Sequence, residues 1–187
     1  RPTAVVAAAQ DPQVARRVQE AVNGGPLRAY AGTDPLGGVL GGAVKNVIAI
    51  AAGILDALEL GTNARAALVT RGLAETTRLG VAMGAQAATF AGLAGMGDLI
   101  LTCTGDLSRN RTLGKRLAGG SSLADVLGSS RAVAEGVNAC RSVVRLAERF
   151  GVEMPICRAV HRVLFEGQEP REAVVGLMTR ELRFEGD

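Results

Sequence analysis

The sequence predicts a mainly α-helical protein that opens on a short α/β stub. Three observations carry that expectation. A strand–helix–strand pattern is confined to the first 31 residues. From Thr33 onward, apolar residues recur at helical spacing between capping and breaking residues. A composition of 187 residues, 48% hydrophobic and 21% charged, supports a self-sufficient core and excludes a disordered chain. At roughly 150 residues per domain, the length predicts one domain and part of a second, divided as residues 1–32 and 33–187.

The elements follow in order. Thr3 to Ala9 is a small apolar run that reads as a buried strand. Asp11-Pro12 opens a helix to about Val22, because proline is pre-set for a first helical turn. Asn23-Gly24-Gly25-Pro26 is a turn, and Leu27 to Ala31 a second strand. Two strands are too few to stand alone. Thr33-Asp34-Pro35 starts a helix whose apolar residues continue to Leu58. Thr62 is expected to open the next, Asn63 to Met83, closed by Gly84. Short helices are expected around Thr89–Phe90, Asp98–Thr104 and Arg109–Ala118. Ser122-x-x-Asp125 resembles a capping box with Asp in place of Glu. A longer helix runs from about Glu135 to Phe150 and stops at Gly151. Pro155 starts another to Phe165, and Glu169-Pro170 the last, through Met178.

Composition excludes several functions. Basic residues exceed acidic ones by only 21 to 18, too few and too dispersed for a nucleic-acid surface. Three widely spaced cysteines, Cys103, Cys140 and Cys157, make no disulfide framework. One histidine, His161, and no C-x-x-C pair leave a metal without ligands. The opening Arg1-Pro2-Thr3 lacks a charged region and cleavage site of the secretory kind, which with the cysteine usage predicts a cytoplasmic protein.

Of the 21 basic residues only Lys45 and Lys115 are lysines. Lys45 stands in the most apolar stretch, Val39 to Leu55 (VLGGAVKNVIAIAAGIL). Seventeen residues is the lower edge for a membrane span. A central lysine costs such a span about 2.5–3.5 kcal/mol, and Asn46 adds to it, so the stretch reads as the buried helix of a helical domain. Its helical neighbours Gly41, Gly42, Ile48 and Ala49 offer no carboxylate. Lys45 therefore snorkels to water, pairs elsewhere in the fold, or serves proton transfer at the floor of a cleft. Gly38, Gly41 and Gly42 make room beside it, for a ligand or for another helix.

A second polar set lies in Gly95-Met96-Gly97-Asp98-Leu99-Ile100-Leu101-Thr102-Cys103-Thr104. Asp98 and Thr102 share a helical face. Asp98 either caps its helix or is the counter-charge for Lys45. Gly95-x-Gly97 is no dinucleotide fingerprint, since Ile100 occupies the third glycine position, and the chain holds no complete G-x-G-x-x-G or Walker A motif. Ser108 is a plausible N-cap with Arg109 and Asn110 in the first turn. A cation there opposes the helix dipole, as an anion site would require and as an arginine-rich solvated turn would also produce. The exceptions together suit a small phosphorylated substrate with a carbonyl or hydroxyl group. Cys103 reads as a core thiol and His161 as a surface or packing residue.

The segments GGAVKNVIAIAAGI, TNARAALVTRGLAE, GLAGMGDLILTCTGDLSRNR, AEG and GVEMPI closely resemble, in order, the C-terminal half of bacterial NAD(P)-dependent glycerol-3-phosphate dehydrogenase. The resemblance implies an all-helical substrate domain of the 6-phosphogluconate dehydrogenase C-terminal type, beside a remnant of a Rossmann-type domain. It implies interconversion of dihydroxyacetone phosphate and glycerol 3-phosphate with NAD or NADP, for glycerophospholipid synthesis. By motif, Lys45 matches the catalytic lysine and Asp98 its acidic neighbour. Asn46, Thr102, Ser108, Arg109 and Asn110 match substrate-binding positions, and Arg109, Val133 and Glu135 cofactor-binding ones. The resemblance also suggests a homodimer. Family members begin with a glycine-fingerprint domain, of which residues 1–32 resemble only the last strands, so the chain is expected to be inactive alone. Two other readings are a reductase of the same fold group with another substrate, and a non-catalytic helical module for anion binding or dimerisation.

Overall fold

The computed structural model describes residues 2–127 and 131–181, without the side chains of residues 127 and 131–134. Strands β1 (Thr3–Ala8) and β2 (Leu27–Gly32) pair in parallel, Thr3 opposite Leu27 and Ala8 opposite Gly32. Helix α1 (Pro12–Val22) makes the crossover, capped by the Asp11 carboxylate on the Gln13 N–H. The outer edge of β2 is taken by side chains. Asn23 Oδ1 accepts from the Ala29 N–H and Gln19 Nε2 donates to the Ala29 carbonyl. Val5, Val6 and Tyr30 on this small sheet remain exposed.

The helical part is built around α2 (Pro35–Ala57). Val44, Val47, Ile48 and Ile50 are fully buried in it, each contributing about 1.5–3 kcal/mol relative to exposure. By length and composition α2 is apolar enough to cross a membrane, but most of its apolar stretch is buried inside the protein. Around it pack α3 (Gly61–Ala82), α5 (Asp98–Thr104), α6 (Arg109–Ala118), α8 (Arg131–Phe150) and α9 (Pro155–Phe165). The short α4 (Ala87–Ala91) and α7 (Leu123–Leu127) connect them, and α10 (Pro170–Met178) packs on α9.

Asp34 fixes the entry to α2. Its carboxylate accepts from the Gly37 N–H within the helix start, and from the Gln86 N–H and Thr89 hydroxyl across the fold. Burial opposes its charge, yet these three donors hold its carboxyl below the usual range.

Two local expectations change. Helix α3 starts at Gly61 without a side-chain cap, so Thr62 does not serve as one. The backbone reverses instead through positive φ at Glu59 and Gly61. Leu93–Gly97 forms one wide π turn, in which the Gly97 N–H reaches the carbonyl of Gly92, five residues back. The Ser122–Asp125 capping box forms as expected: Asp125 N–H donates to Ser122 Oγ and Ser122 N–H to Asp125 Oδ2.

Helices α2 and α6 touch backbone to backbone. A Cβ at Gly53 would overlap the Arg111 carbonyl oxygen, and one at Gly114 the carbonyl oxygen of Ile50. Rigid backbone lies on both sides, so overpacking has no flexible side chain to displace. Gly53→Ala and Gly114→Ala are each expected to lose about 2–3 kcal/mol or more of unfolding free energy in urea titration. A loss below about 0.5 kcal/mol would contradict this contact.

Glu75, on α3, is buried and accepts from the N–H groups of Ile156 and Cys157 at the start of α9. Burial pushes its carboxyl up to about 7, against the pull of those two donors. With the unfolded carboxyl near 4.5, the folded state holds the extra proton between pH 4.5 and 7. Stability from this group is therefore present below pH 4.5 and falls as pH rises to 7, by about 3 kcal/mol. Unfolding of the wild type relative to Glu75→Gln, measured from pH 4 to 8, should show that decline. A pH-independent difference overturns it.

Candidate active site

Lys45 lies in the middle of α2 and points to the start of α5, where its Nζ donates to Asp98 Oδ2 at 2.5 Å. The pair resolves both open sequence alternatives. The ammonium has found a carboxylate partner, and Asp98 does not cap its own helix: the preceding Gly97 continues in helical geometry without a side-chain cap. The π turn delivers this arrangement. Gly95 lets it press on the Phe90 backbone, and Gly41 accepts the close approach of the Ala94 carbonyl, 2.8 Å from where a Cβ would be. Gly41 thus serves packing, whereas the space beside Gly38 and Gly42 is open. The side chains of Lys45 and Asp98 remain 24% and 33% exposed, so the pair is reachable from solvent and its Coulomb energy is screened.

Asn46, one residue on, ties α2 to α6. Its Nδ2 donates to the Gly42 carbonyl, and its Oδ1 accepts from Asn110 Nδ2 at 3.0 Å. The Gly42 carbonyl can only accept, so it fixes the orientation of Asn46 and, through it, that of Asn110. Asn110 Oδ1 is left buried with no partner, facing Gly136 of α8, where a Cβ would overlap it. The missing side chain at Gly136 is what lets Asn110 pack against α8.

Thr102 Oγ1 donates to the Asp98 carbonyl at 2.6 Å, bracing the turn that carries the carboxylate. Ser108 caps α6, its Oγ accepting from the Arg111 N–H. The N–H groups of Arg109 and Asn110 have no acceptor within the helix, and the Arg109 side chain is exposed. Glu135 is exposed one residue before Gly136. The side chain of Val133 lies outside the described residues. Hydrogen bonds thus pair Lys45 with Asp98 and Asn46 with Asn110, with Thr102 behind Asp98, a two-part network joined only through the α2 backbone at residues 45 and 46. Arg109 and Glu135 stand free of that network.

Cys103 is fully buried, and burial pushes its thiol up to about 12, which makes it a core residue. His161 pairs with Glu166 and tilts against the Phe165 ring, away from the network. Lys115 lies 3.7 Å from Asp56. A cleft of about 580 Å³ opens between the small sheet and the start of α2, lined by Val6, Thr33, Asp34, Gly38, Thr89 and Leu93 among others. The sequence reading missed Asp56 and Arg111, an ion pair near the end of α2. The only advance signal was a second charge on the apolar helix.

Residues 34–175 match the family model described as NAD-dependent glycerol-3-phosphate dehydrogenase C-terminus. The chain belongs to that family. A Geobacter sulfurreducens protein named glycerol-3-phosphate dehydrogenase (NAD(P)+) is 62% identical over 184 residues, covering 98% of this chain and 55% of the relative. A crystal structure of glycerol-3-phosphate dehydrogenase from Coxiella burnetii superposes with a TM-score of 0.91 at 43% identity, over 96% of this chain and 55% of that one. The enzyme from Saccharomyces cerevisiae gives 0.75 at 26% identity, over 84% of this chain and 46% of that one. The chain spans about half the length of the curated relatives it matches. The mainly α architecture with its two-stranded parallel stub agrees with the family's helical C-terminal domain.

The amide chain has a measurable consequence. Asn46→Ala strands Asn110 Nδ2 beside its already unpartnered Oδ1, leaving both ends of a buried amide unsatisfied. The expected cost is about 1–3 kcal/mol in urea unfolding. Stability unchanged in Asn46→Ala would mean that this amide pair is not made in solution.

Proposed function

We propose that this chain is the substrate-binding and proton-transfer part of an NAD(P)-dependent glycerol-3-phosphate dehydrogenase, acting on dihydroxyacetone phosphate and glycerol 3-phosphate. The observation that carries the reading is the Lys45–Asp98 pair, solvent-reachable and next along α2 to the Asn46–Asn110 bond that reaches the start of α6. In ketone reduction the Lys45 ammonium donates a proton to the developing alkoxide oxygen. In the reverse direction the amine takes the proton from the hydroxyl. Asp98 holds the ammonium in place while the ketone is bound. The free N–H groups at the start of α6 and the exposed Arg109 guanidinium suit the substrate phosphate.

A nicotinamide cofactor would supply the hydride. By motif, Arg109, Val133 and Glu135 are the residues of this chain that would meet it, and exposure of Arg109 and Glu135 supports that reading. No G-x-G-x-x-G turn occurs in residues 1–187, so these residues do not supply a pyrophosphate seat. Residues 1–32 fit the rim of a dinucleotide-binding unit and residues 33–187 the substrate unit. Supporting this, the outer edge of β2 is occupied by Asn23 and Gln19, while both faces of β1 are exposed. The glycerophospholipid role and a cytoplasmic setting follow from the same reading.

The test joins this chain to the part of the Geobacter relative that it does not cover. The fusion is expected to reduce dihydroxyacetone phosphate with NADH or NADPH. Lys45→Ala should lower kcat by about 10²–10⁴-fold with an unchanged circular dichroism spectrum. Undiminished turnover in Lys45→Ala removes the assignment. Reduction of a phosphate-free hydroxyacid precursor in preference to dihydroxyacetone phosphate would favour another reductase of the fold group.

A further inference from the structure

Arg111 follows the phosphate-suited residues Arg109 and Asn110, yet it faces the other way and is buried. Its Nε donates to Asp56 Oδ2 at 2.5 Å, at the last turn of α2. Its Nη1 donates to the carbonyls of Thr104 and Gly105, at 3.2 and 3.3 Å, and pairs with Asp106 at 3.1 Å. One planar guanidinium therefore contacts three segments: the end of α2, the C-terminal end of α5, and the loop into α6. Capping the α5 carbonyls places a cation where the helix dipole favours it. Its own backbone N–H is the group capped by Ser108.

We infer that Arg111 is a positioning residue for the phosphate end of the site, setting where the start of α6 stands relative to Asp98. Asp98 sits at the first turn of α5 and Arg111 holds the last. Arg109 and Asn110 sit in the first turn of α6 immediately before it. The segment between, Gly105 to Ser108, is a loop whose Leu107 is almost wholly exposed, so packing does not fix it. The guanidinium fork spans that loop from inside and pins it to Asp56, which the Gly53–Gly114 contact holds against α6. Asp56 is itself braced by Arg65 at 2.9 Å. A lysine at this position offers a point charge without the fork, so it can keep the Asp56 pair but not the carbonyl cap at the same time.

This inference rests on the proposed phosphate role of Arg109 and the α6 start, and the experiment separates the two. Glycerol 3-phosphate and inorganic phosphate are titrated into the chain by nuclear magnetic resonance, with the thermal midpoint measured in parallel. Arg109→Ala tests the phosphate role and is expected to abolish binding. Arg111→Lys is expected to weaken glycerol 3-phosphate binding about tenfold or more. Leu164→Ala, which opens a cavity in the buried core of α9 rather than at Asp56, is expected to lower the thermal midpoint while leaving affinity within twofold. Asp106→Asn removes only the exposed arm and is expected to weaken binding about threefold in a fully folded chain, so it decides the matter if Arg111→Lys does not fold. Affinity within twofold of wild type in Arg111→Lys, or unchanged in Asp106→Asn where only that variant folds, overturns the positioning role and leaves the phosphate reading standing. Equal weakening in Leu164→Ala also overturns it, by showing general loosening. A wild-type chain that binds neither probe overturns both.

Discussion

Helices α2 and α6 approach until their backbones touch at Gly53 and Gly114, and most of the site's geometry depends on that contact. With no side chain between the helices, side chains as short as asparagine can bridge them. Asn46 and Asn110 meet on one side of the contact, Asp56 and Arg111 on the other. Asn46 and Asp56 are ten residues apart, about 15 Å along the axis. The crossing therefore fixes a line rather than a point, and α6 has little freedom to rotate on α2.

Two ion pairs on α2 are arranged differently. Lys45–Asp98 retains solvent on both partners, so its ammonium stays available to a reactant and its formation adds little to stability. Arg111–Asp56 is mostly shielded, and Nη1 of the guanidinium donates to backbone carbonyls and Asp106. Burial opposes the charge on Arg111, and hydrogen bonds to Asp56 and Asp106 more than offset it, raising its pKa. The first arrangement suits chemistry and the second suits holding a loop.

Buried carboxylates also organise helix starts from outside. Asp34 receives three donors, two of them across the fold, and its carboxyl is held low. Glu75 receives backbone donors from the start of α9 but is more deeply enclosed, and burial wins. The same type of contact gives opposite pKa directions because desolvation differs.

Much of this was legible in the sequence. Proline after an acidic residue marked the starts of α1, α2 and α10, and glycine marked the end of α8, because these depend on local backbone preferences. Lys45 stood out because a charge in an apolar helix needs a destination. The Gly-Asp and Ser-Arg-Asn-Arg segments stood out because their residue types oppose their surroundings. What the sequence left open was partnership. Whether Asp98 capped its helix or met Lys45, 53 residues away, depended on a π turn that no local pattern announced. Whether Gly41 made room for a ligand or for backbone depended on which segment lay opposite. Arg111 looked like one more arginine beside Arg109, and only the fold turned the two in opposite directions, one to solvent and one into the protein. Local sequence sets backbone dihedrals and the period of burial. Which buried polar groups satisfy one another is decided by contacts distant in the chain, and those exist only once the helices have packed.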